Sequence, residues 1–293
     1  MNQLSSHQRG LLMTVVGVLI LSPDAVLLRL VAVDHWTVLF WRSVFAAIAL
    51  FSLCAFIEKT NPLAALRGLL KNGWACAVLF GGSNVCFVIS ITHTVAANTL
   101  VILASMPFLA AVMTIALTRR NLHFRTWMTI FLAMIGIVIV FWGRFGGGGA
   151  FGDVVAVFCA VFMAITLVMI SMNPKINTLA TISYGSFLAA VFALSMGADP
   201  AAPNAKDFAY LALNGAIIMA MAMALITYGP KLISAPEVSL IMLLETVLGP
   251  LWVWWILSEQ PPLQTFVGGG LVITAVLVNA WVEFRLGGSR GRH

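Results

Sequence analysis

Charged residues are scarce in this chain: they make up 9% of the sequence, whereas hydrophobic residues make up 61%. Soluble domains carry about a quarter charged residues, so this composition excludes a surface that faces water on all sides. Apolar runs near twenty residues recur along the whole sequence, and each is long enough to cross roughly 30 Å of hydrocarbon as a helix. The alternating ten-residue segments of a strand barrel are absent. The sequence therefore predicts an all-α polytopic membrane protein.

The residue clusters that most catalysts, metal sites and motors need are also missing. The four cysteines lie in or beside apolar runs without CxxC spacing, and the five histidines are dispersed, which excludes the usual metal and redox patterns. There is no GxxxxGK[ST] loop for ATP, and the basic residues form no stripe that would suit nucleic acid. We expect no cofactor, with a small-molecule substrate and membrane lipids as partners. An embedded enzyme or a channel remains a weaker alternative, since neither a nucleophile with its base nor a charged ring is visible.

Long loops are scarce too, so any function must be performed inside the membrane. Charges and turn residues divide the sequence into ten predicted spans. These lie near 10–32, 36–57, 71–92, 95–117, 125–142, 151–172, 178–197, 207–230, 235–257 and 263–284.

The basic residues orient these spans, because short cytoplasmic loops accumulate lysine and arginine. With the N-terminus inside, twelve basic residues fall on the inner side, two fall outside, and Arg29 and Arg42 lie within spans. The inner set is Arg9, Lys59, Arg67, Lys71, Arg119, Arg120, Arg125, Lys175, Lys231, Arg285, Arg290 and Arg292, and the outer set is Arg144 and Lys206. Both termini are therefore predicted to be cytoplasmic.

One sequence phrase occurs twice. A shift of 139 residues lays residues 96–120 on 235–259, with Asn98 on Glu237 and Pro107 on Thr246. The chain then divides into two five-span repeats, 1–145 and 150–293. Five is odd, so the second repeat enters the membrane from the opposite side, which is the inverted repeat of many secondary transporters. The alternative is that any two apolar spans look alike.

The two copies, "ITHTVAANTLVILASMPFLAAVMTIALTRR" and "ISAPEVSLIMLLETVLGPLWVWWILSEQ", resemble the paired signatures of the drug/metabolite transporter superfamily, EamA-type branch. Arg29 and Arg42 match basic positions of that family, whereas Thr246 stands where its proline is expected. The resemblance implies a secondary exporter of amino acids, in particular apolar or aromatic ones, or of other metabolites or drugs, in a bacterial inner membrane. It also implies a central cavity between the two repeats.

Ionisable groups within spans need a reason, because each costs roughly 2.5–3.5 kcal/mol at the bilayer centre. Asp24 and Arg42 flank the first outer turn on adjacent helices and predict an ion pair, either structural or concerned with substrate or gating. Glu237 begins the ninth span and is either a helix-terminus residue or a gate. Glu245 lies about 12 Å farther along and predicts a cavity position, where it could receive an ammonium group, pair with a basic residue or carry a proton.

Polar, methionine and aromatic side chains at helical spacing predict the cavity lining, although plain packing is the alternative for each. The candidates are Asn84, Phe87, Asn98, Ser105, Phe162, Thr166, Met223 and Tyr228. Pro107 and Pro250 lie in the repeated fourth and ninth spans, where they predict helix bends that are either points of motion or local kinks.

Overall fold

The computed structural model describes residues 5–57, 73–94, 96–119, 122–140, 149–257 and 263–290. Within these ranges the regular secondary structure is entirely helical. Seven helical segments are long and apolar enough to cross a membrane, and three shorter apolar helices, at 74–90, 124–139 and 266–278, complete the ten predicted spans. The protein is a multi-pass membrane protein, as predicted.

The first five spans lie close to their predicted bounds. They are α1 (Ser6–Leu21) with α2 (Asp24–Arg29), α3 (His35–Ile57), α4 (Trp74–His93), α5 (Ala96–Leu103) with α6 (Met106–Thr118), and α7 (Phe124–Val140). The prediction placed each span as one segment, and the structure divides the first at Ser22-Pro23 and the fourth at Ala104-Ser105. Proline explains the first division, because it lacks an N–H and its ring clashes with the preceding turn.

The second five spans begin with α8 (Ala150–Met172) and α9 (Thr178–Ser195). The eighth consists of α10 (Ala205–Ala212), a π-helix (Leu213–Met219), α11 (Ala220–Tyr228) and a short 3₁₀ turn (Gly229–Lys231). The ninth and tenth are α12 (Ala235–Leu257) and α13 (Leu263–Arg290). A π-helix has a wider turn than an α-helix and occurs often at functional sites.

The spans pack in a pattern that stays the same when the two halves are exchanged. The contact of the third span with the sixth is equivalent to that of the eighth with the first. Likewise, the contact of the fourth span with the sixth is equivalent to that of the ninth with the first. The third also packs against the seventh as the eighth packs against the second. Three further contacts join symmetry-related partners directly: second with seventh, fourth with ninth, and fifth with tenth. The ninth span also packs against the tenth. This is the architecture of an inverted five-span repeat.

Two glycines show the same relation at atomic detail. A Cβ on Gly10 would lie 2.7 Å from Leu232 Cβ and 2.8 Å from Ile233 Cγ2, and a Cβ on Gly152 would lie 2.7 Å from backbone atoms of His93 and Thr94. The 139-residue shift carries Leu232 onto His93 and Ile233 onto Thr94. Each glycine therefore lets the first span of one half approach the other half closely.

These two contacts lie at opposite ends of the bundle. We call the end that holds the start of α1 the N-terminal face, and the end that holds the start of α8 the opposite face. Because α1 and α8 begin at different faces, the two halves run through the bundle in opposite directions. The largest apolar cluster contains residues from both halves, including Val18, Phe80, Met163 and Ile226, so the halves share one core.

Candidate functional site

A buried ionic cluster links the two halves on the side of the opposite face. The predicted Asp24–Arg42 pair is present: Arg42 Nη2 donates to Asp24 Oδ1 at 3.3 Å and to Oδ2 at 3.4 Å. Both residues are only 8% exposed. Asp24 is the first residue of α2, because the helix breaks at Ser22-Pro23. Beside that break, Trp252 Nε1 of α12 donates to Ser22 Oγ at 2.8 Å.

The π-helix of the eighth span supplies the other members of the cluster. Asn214 Nδ2 donates to Asp24 Oδ1 at 2.7 Å, and Arg42 Nε donates to Met219 Sδ at 3.2 Å. Asn214 is 1% exposed, and its Oδ1 has no hydrogen-bond partner among the described residues. Gly215 lies between them, where an added Cβ would be 2.5 Å from the Arg42 carbonyl oxygen. The π-helix therefore brings its backbone against α3 and places both side chains on the ion pair.

Glu245 lies near this cluster on α12. Protein atoms surround its carboxylate, which interacts electrostatically with both Asp24 and Arg42. Its side chain is nevertheless half-buried rather than sealed, and it accepts no hydrogen bond from the described residues. A carboxylate that is enclosed by protein in this way faces the bundle rather than lipid. The 139-residue shift places Met106 at the equivalent position of the other half, so the acid has no symmetric counterpart.

Three of the predicted lining residues lie where the third and sixth spans cross. Phe162 packs on Gly82, where an added Cβ would be 3.2 Å from its ring, and Asn84 Nδ2 donates to the Phe80 carbonyl oxygen at 3.0 Å. Thr166 is fully buried and donates to the Phe162 carbonyl oxygen at 2.8 Å. These polar groups are therefore satisfied by their own helices.

Three other predicted residues are separate from this crossing. Phe87 packs against an apolar cluster that includes Leu39 and Ala189. Met223 is 9% exposed and belongs to the main core. Tyr228 lies at the N-terminal face, where Lys231 Nζ is 5.0 Å from its ring centroid.

Asn98 lies at the opposite face, in a contact between the halves. Asp153 Oδ1 of α8 accepts from Thr94 Oγ1 at 2.7 Å and from Asn98 Nδ2 at 3.3 Å. We call this contact the Asp153 latch. Ser105 lies at the break of the fourth span, where its hydroxyl donates to the Ile102 carbonyl oxygen at 2.6 Å.

Glu237 occupies the symmetry-related position at the N-terminal face. The Ser234 N–H donates to Glu237 Oε2 at 3.0 Å and the Glu237 N–H donates to Ser234 Oγ at 3.4 Å, which is a reciprocal capping box. Glu237 Oε2 is also 3.6 Å from His7 Nε2 of α1. We call the contact between these two side chains the Glu237 latch.

The two predicted bend sites differ. Pro107 follows the break between α5 and α6 and is buried in the first turn of α6. Pro250 falls within the continuous helix α12, and its side chain lies outside the described residues. Arg29 has its side chain outside them too, as do the loop residues Lys59, Arg67, Lys71, Arg120, Arg144 and Arg292.

Sequence reasoning missed Asn214, Asp153 and Trp252. Asp153 carried a signal, since it is an acid at a span start, the position that drew attention to Glu237. Asn214 and Trp252 carried none, because a neutral amide or a tryptophan in an apolar run is ordinary.

The fold and this site define a multi-pass protein of two inverted repeats with a charged cluster between them. The EamA-like transporter family matches residues 8–142 and again residues 150–281, so the chain belongs to that family. It is a membrane transporter of small molecules. None of the curated proteins matches the sequence.

A solved structure described only as "Crystal structure of protein" shares the fold. The TM-score is 0.79 at 15% identity, and the match covers 94% of this chain and 98% of the other.

Proposed function

We propose that this transporter is a secondary exporter of amino acids, chiefly those with apolar or aromatic side chains. The observation that carries the proposal is Glu245: its carboxylate is enclosed by protein, accepts no hydrogen bond from the described residues, and lies within electrostatic reach of the buried Asp24–Arg42 pair. In low-dielectric surroundings such a carboxylate is a strong site for a cation, and the ammonium group of an amino acid supplies one.

Apolar surroundings support the choice of side chain. The core that passes between the halves contains Met163, Met219 and Met223, and methionine adapts its shape to varied apolar ligands. Phe162 lies at the crossing of the third and sixth spans on the other side of the interface. Amino acids with apolar or aromatic side chains fit such apolar surroundings better than highly charged metabolites do.

The two latches support an alternating-access cycle. The Asp153 latch joins the sixth span to the fourth at the opposite face, and the Glu237 latch joins the first span to the ninth at the N-terminal face. Each latch spans the two halves, and the inverted repeat relates one to the other. Release of one while the other stays closed would open the interface to a single side, with residues 1–145 and 150–293 moving as units.

We further propose that the protein lies in a bacterial inner membrane with both termini in the cytoplasm. Support comes from the basic residues, which the sequence concentrates in the loops of the N-terminal face. Among the described residues, Lys175 and Lys231 lie there, and the Lys231 ammonium donates to the Ile176 carbonyl oxygen at 2.7 Å.

Counterflow in proteoliposomes tests the function. Vesicles that hold the purified protein and unlabelled L-phenylalanine are diluted into labelled L-phenylalanine, and saturable uptake without chemical conversion is expected. Glu245→Gln should reduce the initial rate by roughly tenfold or more, because the amide cannot balance an ammonium charge. Asp199→Asn is the matched control: Asp199 lies in an exposed loop at the opposite face, and its rate should equal wild type.

Uptake of another metabolite but of no amino acid would reject the amino-acid assignment and retain a transporter. Conversion of the substrate would indicate an enzyme, and uptake that does not saturate would indicate a channel. A Glu245→Gln protein with wild-type affinity and rate would remove Glu245 from the mechanism.

A further inference from the structure

The guanidinium group of Arg42 has N–H donors that lack a strong acceptor among the described residues. Nη2 serves both oxygens of Asp24, but Nε is directed at the Met219 thioether, which is a weak acceptor. Nη1 makes no hydrogen bond to any described residue, and 10% of the Arg42 side-chain surface stays accessible. An arginine in a membrane interior with an open edge is suited to a planar anion, since its N–H groups match a carboxylate.

We propose that Arg42 is the carboxylate subsite of the transporter and that Glu245 and Asn214 Oδ1 form the ammonium subsite, so that the site selects zwitterionic α-amino acids over amines or carboxylic acids. This inference rests on the proposed function and adds the chemistry that defines the substrate class.

The charge of the cluster gives the order of preference among ligands. Arg42 already pairs with Asp24, so only a cation supplied by the ligand would hold the enclosed Glu245 carboxyl in its ionised form, and the site favours a ligand that brings a positive charge. The unpaired Asn214 Oδ1 also calls for a donor. The open Arg42 edge calls for an acceptor on the same ligand. A zwitterion meets all three requirements, an amine meets two, and a carboxylic acid meets one.

The repeat indicates that the fold does not require this charge. Gly152 lies 142 residues after its counterpart Gly10, and the same shift carries Asp24 onto Thr166 and Arg42 onto Tyr184. Thr166 is neutral and bonds its own helix, and Tyr184 packs edge-on against the Phe51 ring at 4.8 Å. The equivalent positions of the other half are thus neutral, and the charged cluster is a specialisation of one half.

Competition in the counterflow assay tests the carboxylate subsite with ligands that share the phenyl side chain and differ only in their charged groups. The competitors are L-phenylalanine, its methyl ester, phenethylamine and 3-phenylpropionate, each titrated against labelled L-phenylalanine. We expect the ester and the amine to need roughly tenfold higher concentrations than L-phenylalanine for half-inhibition, and 3-phenylpropionate to need more still. Equal inhibition by the ester and L-phenylalanine would overturn the carboxylate subsite while leaving amino-acid transport intact. Absence of any L-phenylalanine counterflow would instead reject the proposed function.

Two variants assign the effect to Arg42. Asp24→Asn with Arg42→Gln removes both charges and leaves neither partner unpaired. We expect a folded protein, checked by thermal unfolding and gel filtration, in which the difference between L-phenylalanine and its ester falls below about threefold. Arg42→Lys keeps the charge but loses the planar fork, and it should weaken L-phenylalanine inhibition while leaving phenethylamine unchanged. Wild-type discrimination in either folded variant would exclude Arg42 as the subsite.

Discussion

Acidic side chains serve two different purposes in this bundle. Asp34 and Glu237 lie at helix starts and accept backbone N–H groups, which explains their charge by local structure. Asp24 also begins a helix, but its carboxylate is directed at Arg42 and Asn214 rather than at the backbone. Glu245 lies in mid-helix with no such partner. Helix capping therefore accounts for the position of Asp34 and for that of Glu237, which also contacts His7, whereas Asp24 and Glu245 need a ligand or a gate to account for their position.

Asp34 offers a test of the capping role at the residue scale. Partial burial raises the pKa of Asp34, but hydrogen bonds from Thr37 and Trp36 and the nearby His35 outweigh it, so the pKa lies below its ordinary value of 3.8. Because the folded pKa is depressed, this stabilisation is complete above about pH 4 and is lost as the pH falls through the folded pKa. Asp34→Ala should lower the free energy of unfolding by about 1 kcal/mol at pH 7, or the Tm by roughly 2–4 °C.

The control is Asp34→Asn, whose side-chain oxygen still caps α3 without a titrating charge. Thermal unfolding in detergent should show wild type approaching Asp34→Ala below pH 4, while Asp34→Asn stays flat over the same range. A gap between wild type and Asp34→Ala that persists at pH 2 would exclude this origin of the stabilisation.

The charged members of the site were predictable from the sequence, whereas their neutral partner Asn214 was not. Asp24, Arg42 and Glu245 stand out because a charge in an apolar run is costly. Asn214 and Met219 are compatible with an apolar run, and only the π-helix brings them to the ion pair. Phe87 was chosen by its helical spacing from Asn84 and Tyr228 by its residue type, and neither criterion can distinguish packing or a span end from an inner wall.

At the scale of elements, three spans are interrupted within the part of the chain that the structure describes. The first divides at Ser22-Pro23, the fourth at Ala104-Ser105, and the eighth widens into the π-helix. Interrupted backbone at membrane depth is tolerated where protein or an internal cavity surrounds it. The bounds of the spans were predictable to within a few residues from charges and turns. The π-helix was not, because no proline marks 213–219 and its wide turn depends on the approach of Gly215 to α3.

The close helix crossings predict graded effects of added methyl groups. Gly152→Ala should lower the Tm most, by an amount equivalent to about 1–3 kcal/mol, because its Cβ would meet rigid backbone of His93 and Thr94. Gly10→Ala should be only slightly milder, since its Cβ would meet Leu232 Cβ, which is fixed to the backbone, and only the Ile233 methyl group could turn away. Gly270→Ala is the matched control: its Cβ would meet nothing within 4 Å, so its Tm should equal or exceed that of wild type. Equal losses in all three would contradict the close-packing explanation, and equal gains would mean that helix propensity, which favours alanine over glycine, governs these sites.

At the scale of the whole molecule, the two halves share their packing but not their chemistry. The contacts of Gly10 and Gly152 and the two latches obey the inverted repeat. The charged residues do not: the positions equivalent to Asp24, Arg42 and Glu245 in the other half hold Thr166, Tyr184 and Met106. The inversion was predictable, because an odd number of spans per repeat requires it. The contacts between the halves were not, since they join residues far apart in sequence whose apolar surroundings look alike.

Inversion and orientation can be tested together by labelling two equivalent loops. Ala32 follows the first span of one half, Lys175 follows the first span of the other, and both are exposed. Each is replaced singly by cysteine and treated with a membrane-impermeant maleimide. The unsubstituted chain, whose cysteines are buried or half-buried, gives the background. Ala32→Cys should be labelled in intact cells, and Lys175→Cys only after the membrane is opened. Labelling in the reverse order would overturn the proposed orientation, and labelling of both from one side would contradict the inverted repeat itself.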